Sequence, residues 1–167
     1  GLGILFVGMD AMTAAMEPLR DWQGFRDMME LAKNPLVGVL VGAGVTALLQ
    51  SSSASVGILQ ALAATGAISL QASLFILFGQ NIGTCVTALL ASVGANRTAK
   101  RAAVVHLLFN VIGAALFIVL ALVLPLASWI ETLAGANLRL QIAFAHIIFN
   151  VVTTLLLLCL LYTSDAA

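Results

Sequence analysis

The chain has 167 residues, 62% hydrophobic and only 8% charged, with seven Lys+Arg against seven Asp+Glu and a mean hydropathy of +1.12. A soluble domain carries about 25% charged residues, so the composition excludes a soluble globular fold and points to an all-α integral membrane protein. Zero formal net charge offers nothing to nucleic acid, and Cys85 and Cys159 form neither a metal-binding spacing nor a disulfide framework.

Residues 1–33 read as the end of a membrane helix (LGILFVGMDAMTAAM, with Asp10 inside it) followed by an interfacial segment. Glu17 to Lys33 carries seven of the fourteen formal charges, and Pro18 breaks the helix. Leu19, Trp22, Phe25, Met28, Met29 and Ala32 recur at helical spacing among charged neighbours, the pattern of a helix lying in the membrane surface.

Residues 34–96 contain no Asp, Glu, Lys, Arg or His. Asn34-Pro35 opens an apolar arm with small-residue positions at Gly38, Gly42 and Gly44. Gln50, Ser51, Ser52 and Ser53 interrupt it, and a second arm runs to Thr65-Gly66. The arms, Leu36 to Leu49 and Ala54 to Thr65, are 14 and 12 residues, whereas a spanning helix needs about 20. Two half-length helices meeting at a polar knot describe a re-entrant hairpin, and such irregular backbone survives at membrane depth only inside protein or beside water. Transporters commonly bind ions at such breaks. Leu70 to Phe78 is apolar again and is expected to break at Gly79-Gln80-Asn81-Ile82-Gly83-Thr84 before resuming from Cys85 to Val93.

Residues 97–162 hold two spanning helices. Gly94 to Arg101 reads as a short loop with three cations and no acid, which the positive-inside rule assigns to the cytoplasm. Ala102 to Leu124 and Leu138 to Tyr162 are long enough to span, with Pro125, Trp129 and Glu131 between them. AVVHLLFNV and AFAHIIFNV repeat each other, so His106 and Asn110 match His146 and Asn150. His and Asn at i, i+4 share one helical face. The spacing favours hydrogen bonding between helices, worth about 0.6 kcal/mol each, over a proton or ligand role. Residues 163–167 (TSDAA) abandon the apolar pattern and read as a foreign or truncated tail, and the chain as a whole is expected to be a piece of something longer. No acid, base or nucleophile constellation suggests an enzyme.

NPLVGVLVGAGVTALLQSSSAS followed by GQNIGTCVTALLASVGANRTAKRAAVVHLLFNV resembles the type II sodium–phosphate cotransporter family. That family carries a QSSS signature twice, in inverted repeats, each followed by a G-x-NIGT-like segment. The resemblance covers about residues 1 to 160 and is nearest to the second repeat. It implies half of an inverted-repeat transporter in a multi-pass cell membrane setting, with inorganic phosphate as substrate, sodium as coupling ion and no other cofactor. It also implies a first repeat as partner, with a homo-oligomer as a further possibility, and a bacterial inner membrane as the location.

A phosphate site without arginine needs another source of positive potential. Ser51, Ser52 and Ser53 precede the second arm, whose N-terminus offers free N–H groups and about half a unit of positive charge. With Gln50 they form the expected phosphate-binding set. Asn81, Thr84, Gln80 and Thr46 form the expected sodium-binding set, since sodium favours neutral oxygens. Another oxyanion such as sulfate or a carboxylate, or a channel-like pore, would use similar groups.

Overall fold

The computed structural model describes residues 2–165, and among these every regular element is helical. In chain order they are α1 (Leu2–Met16), a 3-10 turn (Glu17–Arg20), α2 (Gln23–Leu31), α3 (Pro35–Leu49), α4 (Ser52–Ala64) and α5 (Leu70–Gly83). Then follow α6 (Cys85–Ser92), α7 (Arg97–Val123), α8 (Leu126–Ala134) and α9 (Leu138–Asp165). Three stretches are long and apolar enough to cross a membrane: Leu70–Ser92, Arg97–Val123 and Leu138–Cys159. The fold is an all-α membrane bundle.

The short helices before them do a different job. α2 is turned by 114° from α3. Of the apolar positions expected on one face, it buries Phe25 and Met29, whereas Met28, and Trp22 just before the helix, are exposed. Asn34 then caps α3 by accepting from the Leu36 N–H at 3.0 Å, and Pro35 occupies the first helical position, where a missing N–H costs nothing. The 15 residues of α3 and 13 of α4 reach only about 20–22 Å at 1.5 Å per residue, short of the roughly 30 Å hydrocarbon core. The two arms lie side by side: the Thr46 hydroxyl on α3 and the Ser55 hydroxyl on α4 are 2.7 Å apart, although nine residues separate them. Lys33, just before α3, and Gly66, just after α4, line one shallow pocket, so the hairpin returns to the end it left.

α3 packs along α5 through four glycines. A Cβ on Gly42 would run into the Ile76 carbonyl, and one on Gly79 into the Val39 carbonyl. One on Gly83 would sit 2.6 Å from the Ala43 carbonyl, and one on Gly38 2.6 Å from the Phe75 Cβ. Val39 thus meets Gly79 and Ala43 meets Gly83, a constant offset that makes the helices parallel. This is close packing of two small-xxx-small motifs, the backbone-to-backbone contact that membrane helices use where burial of apolar surface gives no driving force. Gly44, also expected on this face, instead looks into open space.

Those glycines correct the expected break. α5 runs helically through Gly79, Gln80, Asn81, Ile82 and Gly83, and the interruption before α6 is Thr84 alone, itself in a right-handed conformation. Gly79 and Gly83 serve contact with α3 rather than unwinding. The basic loop is also shorter than expected. Asn96 caps α7 by accepting from Ala99 N–H at 2.9 Å, so Arg97, Lys100 and Arg101 lie in the first turns of that helix. At the far end α9 continues to Asp165, past the point where the sequence pattern changes at Thr163.

α7 and α9 are antiparallel. A Cβ on Gly113 would lie 2.5 Å from the Thr153 methyl group, while the Phe117 and Phe149 rings are 5.0 Å apart. Phe78 of α5 joins them, stacked on Phe149 at 5.4 Å and tilted against Phe117 at 5.7 Å. This buried aromatic cluster ties α5, α7 and α9 together at the centre of the core.

Candidate functional site: a polar cavity at the hairpin tip

The hairpin tip is shaped by its backbone. Gln50 ends α3 in the left-handed conformation (φ 53°), the only described non-glycine residue to do so. Ser51 is extended, and its hydroxyl accepts from the Ala54 N–H at 3.3 Å to cap α4. The first N–H groups of α4 have no intrahelical partner and carry the positive end of its dipole.

Beside this tip a cavity of about 600 Å³ opens among α4, α5, α7 and α9. Ser52, Asn81 and Thr84, three of the residues expected from the sequence to bind phosphate or sodium, line it. So do His106 and Asn110 of α7 and His146 and Asn150 of α9. Among the described residues no Asp, Glu, Lys or Arg lines it. The aromatic cluster adjoins it, since Asn81 lies one turn beyond Phe78 and Asn150 follows Phe149.

The His-x-x-x-Asn pairs do not bond to one another across the helices, as the sequence spacing favoured. Each asparagine turns back on its own helix: Asn110 Nδ2 donates to the His106 carbonyl at 3.0 Å, and Asn150 Nδ2 to the His146 carbonyl at 2.8 Å. Asn110 Nδ2 also reaches Cys85 Sγ at 3.3 Å. What was legible was the repeat itself; what was missed was that antiparallel spans bring both copies to one cavity. The recurrence of the same polar pair in two otherwise apolar spans was the available signal.

The other predicted residues are distributed around the tip. Asn81 Nδ2 donates to the Leu77 carbonyl at 2.9 Å, and the Thr84 hydroxyl donates to the Asn81 carbonyl at 2.6 Å. Because α5 runs on to Gly83, Asn81 lies inside a helix and not in the expected break. The Gln80 carbonyl is not free either, accepting from the Thr84 N–H at 3.2 Å. Gln80 and Thr46 lie in a second, fully enclosed polar node with Ser55: Gln80 Nε2 donates to the Ser55 carbonyl at 3.0 Å, and Gln80 Oε1 is buried without a partner. Ser53 faces a neighbouring apolar pocket with Met9, Met12 and Gly57. Gln50 is exposed and outside the cavity.

Comparison with known proteins decides what this architecture belongs to. Residues 4–138 match the Na+/Pi-cotransporter family. The chain belongs to that family. It is a transporter family, not an enzyme class. Among curated proteins the chain is 35% identical over 159 residues to "Uncharacterized protein YqeW" of Bacillus subtilis, covering 95% of this chain and 51% of that one. It is 31% identical over 156 residues to "Putative inorganic phosphate export protein YjbB" of Salmonella typhimurium, covering 93% and 28%. It is 37% identical over 128 residues to "Sodium-dependent phosphate transport protein 2C" of Mus musculus, covering 72% and 20%. The chain therefore spans about half the length or less of these curated relatives. No solved structure matches it.

Proposed function

We propose that this chain forms half of a sodium-coupled carrier for inorganic phosphate in a bacterial inner membrane, working with an inverted copy of the same unit. The observation that carries the reading is the cavity: the hairpin tip, the Asn81–Thr84 segment and two polar pairs from separate spans converge on one uncharged pocket. Ser52 is the phosphate contact within it, supported by the α4 N–H groups and flanked at the tip by Gln50, Ser51 and Ser53. Asn81 and Thr84 supply neutral oxygens for sodium there. Gln80 and Thr46 are candidates for a second sodium position, since Gln80 Oε1 is a buried acceptor awaiting a partner.

Coupling has an electrical rationale. Moving one charge through 100 mV is worth about 2.3 kcal/mol, so bringing divalent phosphate into a negative interior costs about 4.6 kcal/mol on that scale. Two sodium ions cancel this term. Neutral ligands suit such a site because the cation itself neutralises the anion.

The test is transport by the protein in proteoliposomes, titrating phosphate at high sodium and sodium at high phosphate. Ser52→Ala removes one hydrogen bond to a charged group, worth about 1.5–3 kcal/mol. Apparent phosphate affinity is expected to fall about tenfold to hundredfold. Asn81→Ala is expected to shift the sodium curve more than the phosphate curve, with some linkage between them. Unmoved curves for both variants in well-inserted protein refute the assignment of this cavity.

A further inference from the structure

The first turns of α7 carry three cations that nothing else in the fold uses. Arg97, Lys100 and Arg101 are exposed, and no ion pair or side-chain hydrogen bond among the described residues engages any of them. Most of the other cations have partners. Arg26 donates to the Asp21 carbonyl at 3.4 Å, Lys33 pairs with Glu30 at 2.7 Å, and Arg139 Nη2 donates to the Thr13 hydroxyl at 2.8 Å. The chain holds no Asp or Glu between Glu30 and Glu131. None of the three cations lines the polar cavity either, so the candidate substrate site does not account for them.

Their position around the helix says what they face. At about 100° per residue, Arg97, Val104, Leu108, Ile112, Val119 and Leu122 all fall within about 60° of Arg101, and Lys100 stands on the flank of that stripe. Its apolar side chains are exposed. The residues that α7 buries, Ala103, Asn110, Gly113, Ala114 and Phe117, occupy the opposite side. From Arg101 to Leu122 the stripe runs about 30 Å, which matches the hydrocarbon core of a bilayer. Acyl chains therefore cover the stripe, and the cations stand at headgroup depth at its end.

We propose that Arg97, Lys100 and Arg101 bind the phosphodiester headgroups of acidic phospholipids, with the exposed stripe of α7 as the bed for the acyl chains. Guanidinium groups make paired hydrogen bonds to phosphate oxygens. Three cations crowded on the positive end of the α7 dipole repel it and one another, and a bound anion offsets both terms. A zwitterionic headgroup brings a cation of its own and offsets them less. Placement selects lipid over free phosphate, because the cluster lies on the lipid-facing side of α7 and outside the cavity. The site stands apart from the carrier reading, and neither depends on the other.

Thermal unfolding in mixed micelles tests this. Dioleoylphosphatidylglycerol is titrated into dodecyl maltoside micelles holding the protein, with dioleoylphosphatidylcholine as the reference, and a ligand of the folded state raises the transition with its concentration. Phosphatidylglycerol is expected to raise the wild-type transition above its value in phosphatidylcholine. Each cation is worth about fivefold in affinity near an anionic surface, so Arg97→Gln/Lys100→Gln/Arg101→Gln is expected to raise the half-saturating lipid fraction about a hundredfold. Arg20→Gln/Arg26→Gln/Lys33→Gln removes equal charge around α2 and is expected to keep the wild-type response. Each variant's own transition in phosphatidylcholine shows that it is folded. Where the first triple variant shows none, Lys100→Gln/Arg101→Gln is read the same way. A wild-type phosphatidylglycerol curve in that variant overturns the site, as does an equal loss in the α2 variant, which makes net charge the cause. Phosphatidylcholine as effective as phosphatidylglycerol reduces the contact to acyl chains and overturns it too. Inorganic phosphate that shifts the wild type but not the α7 variant assigns the cations to free phosphate and overturns the lipid.

Discussion

Gln50 shows how the backbone and the side chain of one residue at the hairpin tip can be tested separately. Its φ of 53° reverses the chain between the two arms, and its N–H closes α3 on the Thr46 carbonyl at 2.8 Å. A non-glycine residue in that region carries a strain of about 1–2 kcal/mol. An alanine at position 50 retains the strain and loses the amide; a glycine loses the amide and relieves the strain. Gln50→Gly is therefore expected to melt above Gln50→Ala by about 1 kcal/mol of stability, measured by thermal unfolding in detergent. In phosphate titrations the two variants are expected to behave alike, because both lack the side chain. A glycine variant with wild-type phosphate affinity would remove the Gln50 side chain from the substrate site and leave it the turn alone.

At the level of elements, the polar segment Gly79–Thr84 had two physical readings, and the chain alone could not choose between them. Glycine next to Asn and Gln weakens a helix, which favours a break; glycine at i, i+4 also lets another backbone approach, which favours continuity. The partner decides, and here it is α3, whose Gly38 and Gly42 face Phe75, Ile76 and Gln80. Both glycine pairs are visible in the sequence, but nothing in it says they meet. The hairpin was more legible, since arm length against membrane thickness leaves few alternatives. The cavity was legible on its α4 and α5 walls through Ser52, Asn81 and Thr84. The α7 and α9 wall was hidden, because the role of the His-x-x-x-Asn repeat depends on how two distant spans pack. The α3–α5 contact makes its own prediction. Gly42→Ala and Gly79→Ala place a methyl group against backbone, which cannot rotate away, so a loss of about 1–3 kcal/mol or more is expected. Gly44→Ala, facing open space, is expected to gain up to about 1 kcal/mol through helix propensity. Thermal melts of the three variants check this, and equal destabilisation of all three would show that helix flexibility rather than contact is what the glycines provide.

For the whole molecule, the path of the chain fixes which segments share a membrane face. The hairpin leaves and re-enters at one end, because Lys33 and Gly66 to Ser69 line one pocket. α5 starts at that end, and Leu70 shares a pocket with Glu131, Gly135 and Leu138 of the α8–α9 connection, placing that connection there as well. α5 and α6 together carry the chain across, so Asn96 and the start of α7 lie on the opposite face. Cation counts do not orient this arrangement, with Arg97, Lys100 and Arg101 on one side against Arg20, Arg26, Lys33 and Arg139 on the other. The expected orientation follows the one cluster that has no acids. Arg20, Arg26 and Lys33 are interleaved with four acids, and Lys33 pairs with Glu30 at 2.7 Å. The other cluster is free of acids and crowds the positive end of a helix dipole, where cations are unfavourable for the helix. Such a placement is expected of a segment retained in the cytoplasm during insertion. Single cysteines at Asn34, Gly66 and Lys100, introduced into protein lacking Cys85 and Cys159, are expected to divide under an impermeant thiol reagent in intact cells. Asn34→Cys and Gly66→Cys should label from outside, and Lys100→Cys only after permeabilisation. Labelling of Asn34→Cys and Gly66→Cys from opposite faces would eliminate the re-entrant hairpin, whereas a clean reversal of all three would keep the fold and invert its orientation in the membrane.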